Sequence, residues 1–576
     1  MIEQPYQPIP ANSFLKFCEI AQNIAETKGS KTKIEIFAGY LRQLNDEKDI
    51  ELASQFLGEG AFSSLSGRRA SIGSRTASVA AATFCEIDYE KVFKPCRTAL
   101  GSASETMEKL MFNIPEASAK RCPRPFSLDE IKKEFTKLAL ARKRAEKESL
   151  LLGTWSQLTA LEIKFYYKIL GQGTLRIGFE SRSIISAIAE AFDKKLQQVR
   201  YAHMITGSLG KTALLSKRDE LHKAEFKMFQ PLSFMLASPM ENVAGINIGE
   251  YIAEEKFDGM RCQIHINNHN ITLYSRDFNE ITQMFPELVD AFLRKKIENT
   301  VLDGEICVYK NDTILPFLSL QKRMGLKKPT KAILQEYPVI FISYDVLYIN
   351  DSPVFDLTVP RRRKLLETFC AEHQIAITNQ FNPIDEQHLE ARFKQALIHG
   401  NEGLMLKKLD STYEYGKRGK SWLKVKKPGG SIDTVIMYAT AGSGKRGGTY
   451  SDFTLGIRVK NDERYDEEFI PIGKAYGGYT DAELKKLNQE IKPLVVERFG
   501  PTLSLKPGIV VEIEFDGIQV NKRTKAGYTL RLPRFKAIRW DLAPNDADSL
   551  KDVERMYQMK LDAYREKQGR SGSFII

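Results

Sequence analysis

The sequence has few cysteines, and none of them forms a CxxC pair. The 576-residue chain contains seven, which are odd in number and widely scattered. A zinc knuckle needs closely spaced pairs of ligands, and a disulfide scaffold needs a dense, even set. The cysteines therefore indicate neither kind of site, and we expect a reducing compartment.

Long hydrophobic runs are also absent. No uninterrupted apolar stretch approaches the length of a membrane span, and the first residues, MIEQPYQPIPANSF, lack a basic region followed by an apolar one. We therefore expect a soluble intracellular protein with no membrane partner. Hydrophobic residues at 42% and charged residues at 27% are typical of folded globular proteins, and the length suggests about three domains.

Neither of two loops that contain glycine and lysine completes a P-loop motif. In GSLGKT the required first glycine would fall at Ile205. In GSGKRG, near residue 442, Lys445 is followed by Arg446 instead of serine or threonine. Any nucleotide chemistry must therefore depend on other residues.

The chain carries an excess of positive charge. Its formal net charge of +12 favours an anionic partner, with nucleic acid before a membrane surface. A basic surface that serves only solubility would give the same balance. The charge leaves both interpretations open, so the motifs must decide.

The first two hundred residues are predicted to be helical. Ser127 and Glu130 form a capping-box pattern, and the segments Lys33–Leu44 and Ser183–Phe192 show helical periodicity. The predicted buried stripe of the first segment consists of Ile34, Phe37, Ala38, Leu41 and Leu44.

Short glycine-rich loops separate these helices: SLSGRRASIGSR, LGQGTLRIG and MITGSLGKT. Their basic residues are Arg68, Arg69, Arg75, Arg176 and Lys211. Backbone N–H groups at glycine turns and helix N-termini, with basic side chains nearby, suit a phosphate backbone. Taken alone, however, loops of this kind are more often ordinary connections on a basic helical domain.

From about Tyr251 the periodicity changes to short alternating segments that are typical of strands, among them YIAEEKF, CQIHI, TVLDGEICVY and VIFISYDVLYI. Helical stretches such as RRRKLLETFCAEH interrupt them. A loop is then predicted at Pro428, Gly429 and Gly430, and a second set of short strands follows. The pattern predicts an α+β domain, a flexible joint and a small β-barrel.

Lys256 stands in the segment EEKFDGMR. A lysine amine attacks phosphorus only when it is neutral, so neighbouring cations or desolvation must lower its pKa. In WLKVK, strand alternation places Lys424 and Lys426 on one face, where they could bind phosphate and discourage protonation of Lys256. Taken alone, however, a single KxK pattern more often belongs to an amphipathic surface strand.

Two further segments place a carboxylate beside glycine: Asp303 and Glu305 in LDGE, and Glu402 in NEGLMLK. Such acids can hold a ribose hydroxyl or Mg²⁺, although each alone also fits a strand end or a turn.

The order of these motifs is the stronger observation. KxDGxR, SR, DGE, SYD, EGLMLK and WLKVK follow one another over residues 256–426, and RLPRFKAIRWD comes later. The series resembles the covalent nucleotidyltransferases, which include DNA ligases, RNA ligases and mRNA capping enzymes. Over essentially the whole chain the sequence is most similar to ATP-dependent DNA ligases, through LQKRMG, EGLMLKKLDSTYEYGKRGKSWLKVKK, GSGKRGGTY, IGKAYGGYTDAEL and the LRIG and TGSLG loops.

The resemblance implies a multidomain architecture. The expected parts are an all-α DNA-binding domain over residues 1–215, an α+β adenylation domain over 216–428, an all-β OB-fold barrel over 431–548 and a C-terminal tail over 549–576.

The resemblance also implies site residues. Lys256 would be the catalytic lysine that forms the phosphoamide with AMP, Glu254 would read the adenine amino group, and Tyr344 would stack on the base. The implied nucleotide-binding set is Glu254, Arg261, Arg276, Glu305, Tyr344, Arg418, Lys424, Lys426 and Arg539. The implied ligands of Mg²⁺ or Mn²⁺ are Glu305 and Glu402, and the implied DNA contacts are Arg176, Lys211, Lys445 and Arg446.

The terminal motif departs from the family at one position. Arg534, Arg539 and Asp541 fit, but Leu542 stands where the family has a lysine that helps to orient the β and γ phosphates of ATP. The first reaction step is therefore expected to be slower, or to depend on Arg539.

The resemblance implies an enzyme, expected to be monomeric, that uses ATP to seal nicks in duplex DNA. An NAD-dependent ligase is disfavoured because the sequence has neither a zinc cysteine cluster nor a nicotinamide-binding module at its N-terminus. An RNA ligase or capping enzyme would share the lysine chemistry without needing the first two hundred residues. A noncatalytic nick-binding protein is disfavoured because the set of candidate catalytic residues is intact.

Overall fold

The computed structural model describes residues 9–63, 72–100, 102–171, 173–240, 246–326, 328–414, 419–426, 429–442, 449–459, 462–499, 502–522 and 524–569. By contacts the chain divides into two compact units. The first comprises Met1–His203, Ser208–Lys223 and Pro428–Gln558, and the second comprises Met204–Gly207, Ala224–Lys427 and Met559–Ile576. Within the described ranges, no helix is both long and apolar enough to cross a membrane.

The N-terminal part of the first unit is helical, as predicted. Its helices are α1 (Phe14–Glu26), α2 (Ser30–Gln43), α3 (Glu47–Gly58), α4 (Ser74–Phe84), α5 (Lys94–Leu100), α6 (Ala103–Asn113), α7 (Pro115–Ala119), α8 (Leu128–Leu140), α9 (Arg144–Trp155), α10 (Ala160–Leu170), α11 (Ser181–Ala191), α12 (Leu196–Thr206) and α13 (Leu209–Lys217). The predicted capping box of Ser127 and Glu130 opens α8. Its reciprocal bonds satisfy backbone donors that the first turn of a helix leaves unpaired.

Aromatic rings from three helices meet in the helical core. Phe56 of α3 packs edge to face against Phe17 of α1 and Phe135 of α8, with ring centres 6.1 and 5.7 Å apart. On α2 the predicted stripe is buried except at one position: Ile34 is only half-buried, whereas the preceding Lys33 is 3% exposed.

The second unit is a mixed α/β structure. Its strands are β1 (Ser238–Met240), β2 (Tyr251–Lys256), β3 (Met260–Asn267), β4 (Asn270–Ser275), β5 (Thr300–Lys310), β6 (Thr313–Leu315), β7 (Val339–Ile349), β8 (Ser352–Pro353), β9 (Ala376–Ile377), β10 (Gln380–Phe381), β11 (Gly403–Lys408) and β12 (Trp422–Lys426). Its helices are α14 (Pro286–Leu293), α15 (Phe317–Gln321), α16 (Lys331–Glu336), α17 (Val359–His373) and α18 (Glu386–Ile398).

These strands form two sheets. One has the order β1-β12-β11-β2-β10, and the other has the order β4-β3-β5-β7-β8, with β6 on β5 and β9 on β7. The alternating segments that indicated strands from Tyr251 onward correspond to β2, β3, β4, β5 and β7. Apolar residues of β3, β4, β5 and β7 pack with α14 and α17 into one core.

A buried histidine on β3 forms a hydrogen bond with the loop that contains Phe229. His265 of β3 is fully buried, and its Nδ1 accepts a hydrogen bond from the N–H of Phe229 at 3.2 Å. Its Nε2 lies 2.9 Å from the Oε1 of Gln263, which also accepts from the N–H of Leu232 at 2.7 Å. Burial lowers the pKa of His265 to about 3.

This histidine predicts a loss of stability in acid. Its folded-state pKa of about 3 lies below the ordinary value of 6.5, so its contribution is complete above pH 6.5 and is lost as the pH falls toward 3. At pH 5 the loss should be about 2 kcal/mol relative to pH 7. Urea unfolding at pH 7 and at pH 5 measures this difference. Between the two pH values the free energy of unfolding of His265→Gln should fall by about 2 kcal/mol less than that of the wild type. Replacement of the exposed His269 should preserve the wild-type loss, and an equal loss in His265→Gln would contradict the assignment.

The C-terminal part of the first unit is rich in β-structure. Its strands are β13 (Gly430–Ala441), β14 (Tyr450–Arg458), β15 (Phe469–Ala475), β16 (Val495–Phe499), β17 (Thr502–Leu505), β18 (Val510–Phe515), β19 (Gly517–Val520), β20 (Tyr528–Arg531) and β21 (Arg534–Arg539), with helices α19 (Asp481–Glu490) and α20 (Leu550–Gly569). The last residues of α12, from Met204, and of α20, from Met559, are assigned to the second unit. The main sheet runs β15-β14-β13-β17-β16, and β18 joins β13 to β21. Their inward side chains form a continuous apolar core.

Candidate active site

Lys256 is the last residue of β2, where it shares a row with Gly403 of β11 and Lys426 of β12. Residues in one row of neighbouring strands face the same side of a sheet. Gly403 has φ +144°, and a Cβ there would lie 2.2 Å from the backbone oxygen of Val425. Only glycine therefore allows the three strands to approach closely at the level of Lys256.

The Lys256 amine is held by a carboxylate. Its Nζ lies 2.6 Å from an Oε2 of Glu402, whose N–H donates to the Lys256 carbonyl at 2.8 Å. Burial lowers the pKa of Lys256, but the negative charges of Glu402, Glu305 and Asp258 outweigh it, so the pKa is raised. The sequence predicted a lowered pKa through nearby lysines, and the acids around this amine produce the opposite shift in the free protein.

Glu305 and Glu402 respond differently to this shared environment. Burial raises the pKa of Glu305 to about 8, despite the opposing charges of Lys256 and Arg261. Burial also acts to raise the pKa of Glu402, but Lys256 and Lys426 outweigh it and the pKa is lowered. The site therefore combines the Glu402 carboxylate, paired to Lys256, with the Glu305 carboxyl group, which burial keeps largely protonated at pH 7.

The turn between β2 and β3 packs tightly against β5. A Cβ on Gly259 would lie 2.5 Å from the backbone oxygen of Ile306 and 2.7 Å from Cγ of Glu305. The carboxylate of Asp258 accepts a hydrogen bond from the N–H of Phe317 at 3.1 Å, which ties the turn to the start of α15. The glycine of KFDGMR is thus required because its turn touches the strand that carries Glu305.

Glu254 lies two residues before Lys256 and is paired with a buried lysine. Its Oε1 accepts from the Nζ of Lys407 at 2.9 Å and from the amide of Gln380. Glu254 and Lys407 have side chains that are each 2% exposed, and Lys407 also donates to the Tyr344 carbonyl at 2.7 Å. The carboxylate is therefore fixed in orientation.

Arg261 forms the centre of a second buried group. Its Nε donates to Oδ1 of Asp303 at 3.1 Å, and its Nη2 donates to Oδ2 of Asp303 at 2.6 Å and to the Tyr413 hydroxyl at 3.2 Å. Its Nη1 donates to the Met235 carbonyl at 2.6 Å. The Tyr413 hydroxyl donates to Oδ2 of Asp303 at 2.7 Å. Four of the five guanidinium donors are thus used within the protein.

Aromatic rings lie between these two groups. The Tyr344 ring is 5.8 Å from the Arg261 guanidinium and 5.2 Å from the Lys407 amine. Trp422 lies edge to face with Tyr344, at 6.4 Å between ring centres. The structure therefore brings Glu254, Arg261 and Tyr344 together around Lys407 and Trp422.

The remaining predicted nucleotide contacts lie in different places. Lys424 pairs with Met405 across β11 and β12, two rows from Lys426 and therefore on the same face of β12. Arg276 is exposed in the turn after β4, and Arg418 lies outside the described residues. Arg539 belongs to the other compact unit, where its guanidinium donates to Asp541 at 3.0 and 2.7 Å and to Asp433 at 3.4 Å.

Two of the predicted DNA contacts can be described. Arg176 is exposed with φ +55°, and Lys211 is half-buried in the first turn of α13. The first donors of that helix are taken within the protein, because the N–H of Leu209 donates to Glu59 and the N–H of Lys211 donates to the Ser208 hydroxyl at 3.3 Å. Lys445 and Arg446, with Arg68 and Arg69 of the first basic loop, lie outside the described residues.

Two residues of the site, Lys407 and Tyr413, were not assigned a role from sequence, and Asp303 was considered as a ligand of ribose or Mg²⁺ but not as the partner of Arg261. Lys407 and Asp303 each directly follow apolar residues of a strand, and a charge buried there needs a partner. That requirement was a usable signal, although the identity of the partner depends on strand register. Tyr413 lies outside regular secondary structure and gave no signal.

The carboxylates suit a hydrated magnesium ion better than a fully enclosed metal. In the described part of the chain, no group of three or more His, Cys, Asp or Glu side chains is arranged to hold a metal. The charge of Glu402 nevertheless raises the pKa of Glu305, and both groups raise the pKa of Lys256. Mg²⁺ commonly binds through one or two carboxylates, substrate phosphates and water, so this donor pair fits it.

A lysine at a strand end, paired to a glutamate and in register with a second lysine, defines a nucleotidyltransferase-type domain. Known families match the chain in the order of its parts. The family described as DNA ligase N terminus matches residues 13–223, ATP dependent DNA ligase domain matches 234–426, and ATP dependent DNA ligase C terminal region matches 446–542.

Whole-length relatives agree. A probable DNA ligase of Koribacter versatilis is 31% identical, over 94% of this chain and 96% of the relative. A DNA ligase of Methanoculleus marisnigri is 28% identical, over 94% of this chain and 98% of the relative. The chain belongs to the family of ATP-dependent DNA ligases, and its enzyme class is DNA ligase (ATP).

A solved structure shares the fold. The structure described as Pmar-Lig_Pre. is 18% identical to this chain, with a TM-score of 0.56, and the match covers 91% of this chain and 99% of the other. This likeness concerns the fold alone.

Proposed function

We propose that this ligase seals nicks in duplex DNA, between a 5′-phosphate and a 3′-hydroxyl, through AMP held covalently on Lys256. The observation that carries the proposal is the row of Lys256, Gly403 and Lys426 beside the carboxylate of Glu402. In this proposal Lys256 is the nucleophile, Lys426 binds phosphate, and Glu402 is the acid beside them.

The proposed reaction has three phosphoryl transfers. In the first, the Lys256 Nζ loses a proton and bonds to the α phosphorus of ATP, while the bond to the β-phosphate oxygen breaks and diphosphate leaves. AMP then passes to the 5′-phosphate, and finally the 3′-hydroxyl displaces AMP. Each transfer requires attacker and leaving group in line.

The raised pKa of Lys256 means that the free protein holds this amine as an ammonium. Its neutral form becomes accessible when the negative charge beside it, above all that of Glu402, is offset. Mg²⁺ bound through Glu305 and Glu402 would supply that positive charge and also screen the phosphates. Lys424 and Lys426 would bind the phosphates from β12.

Other residues would bind the rest of the nucleotide. Glu254, fixed by Lys407, would accept a hydrogen bond from the adenine amino group, and Tyr344 would stack on the base. Arg261 has one donor on Nη1 left for the ribose, which Glu305 would also contact. Arg276, Arg418 and Arg539 complete the proposed set of nucleotide contacts.

The domain boundaries that we propose are residues 1–215, 216–428, 431–548 and 549–576. We infer an OB-fold for the β-rich third part, because five of its strands pair in the order β15-β14-β13-β17-β16 and β18 extends the sheet to β21. The proposed partner is nicked duplex DNA, bound by a monomer through contacts that include Arg176, Lys211, Lys445 and Arg446. The joint at residues 428–430 would let the OB-fold turn between nucleotide loading and DNA binding.

Labelled ATP tests the proposal directly. The protein should form a heat-stable adduct with AMP, and a purified adduct should seal a nicked DNA duplex without further ATP. A nicked RNA duplex serves as the comparison. Absence of the adduct, or preferential sealing of the RNA substrate, would overturn the proposal.

Leu542 provides a prediction about the first step. It packs against the buried cluster of Val435, Phe469, Val510 and Ala547. We expect Leu542→Lys to speed adduct formation at subsaturating ATP about tenfold, since a charge near the diphosphate leaving group is worth about 1.4 kcal/mol. Lost apolar contacts should lower the free energy of unfolding by about 1 kcal/mol.

Single-turnover adduct formation measures this effect. Sealing of a preadenylylated nick should not change, because no diphosphate leaves in that step. Leu542→Met keeps the packing and adds no charge, so it should react like the wild type. An unchanged or slower rate in folded Leu542→Lys would reject the idea that the site lacks a charge.

A further inference from the structure

Lys33 is a buried lysine that pairs with no carboxylate among the described residues. It lies in α2, and its Nζ donates to the carbonyl oxygens of Ile177 at 3.0 Å and of Gly178 at 3.2 Å. Burial lowers the pKa of this amine. An ammonium is costly to desolvate, and a methionine of similar length would fill the space without that cost. Packing alone therefore does not explain a lysine at this position.

The two carbonyls belong to the loop that carries Arg176. Leu175, Ile177 and Phe179 are buried, whereas Arg176 is exposed and has a left-handed backbone with φ +55°. Such a conformation is unfavourable for arginine and persists only where its surroundings impose it. The bonds from Lys33 fix the carbonyl groups of the two residues that directly follow Arg176.

The cations nearest to Arg176 are already neutralised within the helical region. Lys164 is paired with Glu105 at 2.7 Å and Glu108 at 2.9 Å, and Lys168 lies 3.8 Å from Glu105. Arg176 is exposed, so its guanidinium can meet a phosphate group, which a fixed positive charge suits.

We propose that Lys33 is a positioning residue for DNA binding, whose two hydrogen bonds hold the loop of residues 174–179 so that Arg176 contacts a backbone phosphate. This inference rests on the proposed DNA-binding role of Arg176. Lys33 itself does not touch the DNA, and it acts through the shape of the loop.

A double-mutant cycle tests the inference in the full-length protein. Binding to a labelled nicked duplex is measured by fluorescence anisotropy over a series of salt concentrations. Lys33→Met and Arg176→Ala should each weaken binding by about fivefold to tenfold and reduce the slope of log K against log salt by about one. The double variant should bind no more weakly than Arg176→Ala, because both changes remove the same contact.

Lys164→Met is the matched control. Lys164 is also buried, but it is paired with Glu105 at 2.7 Å and Glu108 at 2.9 Å. Its replacement should lower the temperature of thermal unfolding and leave the salt slope at the wild-type value. Circular dichroism establishes that each variant is folded.

Gly178→Ala changes the same contact through the loop instead of through Lys33. Its added Cβ would lie 3.1 Å from the Lys33 Nζ at φ +68°, so it should disturb the same contact. If Lys33→Met does not fold, Gly178→Ala takes its place in the cycle and should show the same non-additivity with Arg176→Ala.

Three results would overturn the inference. One is wild-type affinity and salt slope in folded Lys33→Met, and another is full additivity with Arg176→Ala. The third is wild-type binding by Arg176→Ala, which would remove the proposed phosphate contact and the role of Lys33 with it. That third result would leave nick sealing through Lys256 standing, because adduct formation tests it separately.

Discussion

Replacement of Lys256 by alanine should abolish formation of the protein–AMP adduct, by more than about 10⁴-fold, while binding of nicked DNA changes little. The amine lies at the end of β2 against Glu402 and in register with Lys426. DNA binding is distributed over many phosphate contacts, so the loss of one side chain there has a small effect. Labelled ATP and gel-shift assays measure the two activities.

Lys256→Arg tests whether adduct formation needs a nucleophilic amine at this position or only a positive charge. Arginine keeps a cation beside Glu402 but does not deprotonate near neutral pH, so it should also form no adduct. Lys408→Ala is the matched control, because Lys408 is on β11 and pairs with Glu250 and Asp410 instead of site residues. A labelled adduct in either Lys256 variant would show that another residue is the nucleophile.

Periodicity and motif order predicted the strands of the second unit but not the charge balance of its site. The segments from Tyr251 onward form the expected strands, and LDGE and WLKVK lie on β5 and β12. The contact between Lys256 and Glu402 depends on the register of β2 with β11, which the sequence does not specify. The pKa of Lys256 is consequently raised in the free protein, where the two lysines alone had suggested a lowered value.

In the helical region too, the sequence predicted the helices but not every buried residue. The spacing of apolar residues predicted α2 and most of its buried face, including Phe37 and Leu41. It assigned Ile34 to that face and gave no reason to bury Lys33. The partners of Lys33 are backbone carbonyls 144 and 145 residues later, and backbone partners leave no trace in residue types.

Asp303→Leu should lower the free energy of unfolding of the second unit by about 3–5 kcal/mol, because it leaves the buried Arg261 guanidinium without its anion. Asp303 is fully buried and accepts from Nε and Nη2 along one edge of that guanidinium, at 3.1 and 2.6 Å. Adding Arg261→Met should recover most of the lost stability, since replacing both members of a buried pair by apolar groups costs little. Urea unfolding measures both changes.

The double variant also decides what Arg261 does for the nucleotide. If its remaining Nη1 donor contacts the ribose, the refolded double variant should need about tenfold more ATP for half-maximal adduct formation, the effect of one lost charge-assisted hydrogen bond. Arg323→Met provides a comparison, because Arg323 is also buried and pairs with Glu287 but bonds the carbonyls of Met284 and Tyr337. It should lose stability and keep its ATP requirement. A double variant that is stable and has the wild-type ATP requirement would instead show that Arg261 acts only by holding Asp303, Tyr413 and Met235 in place.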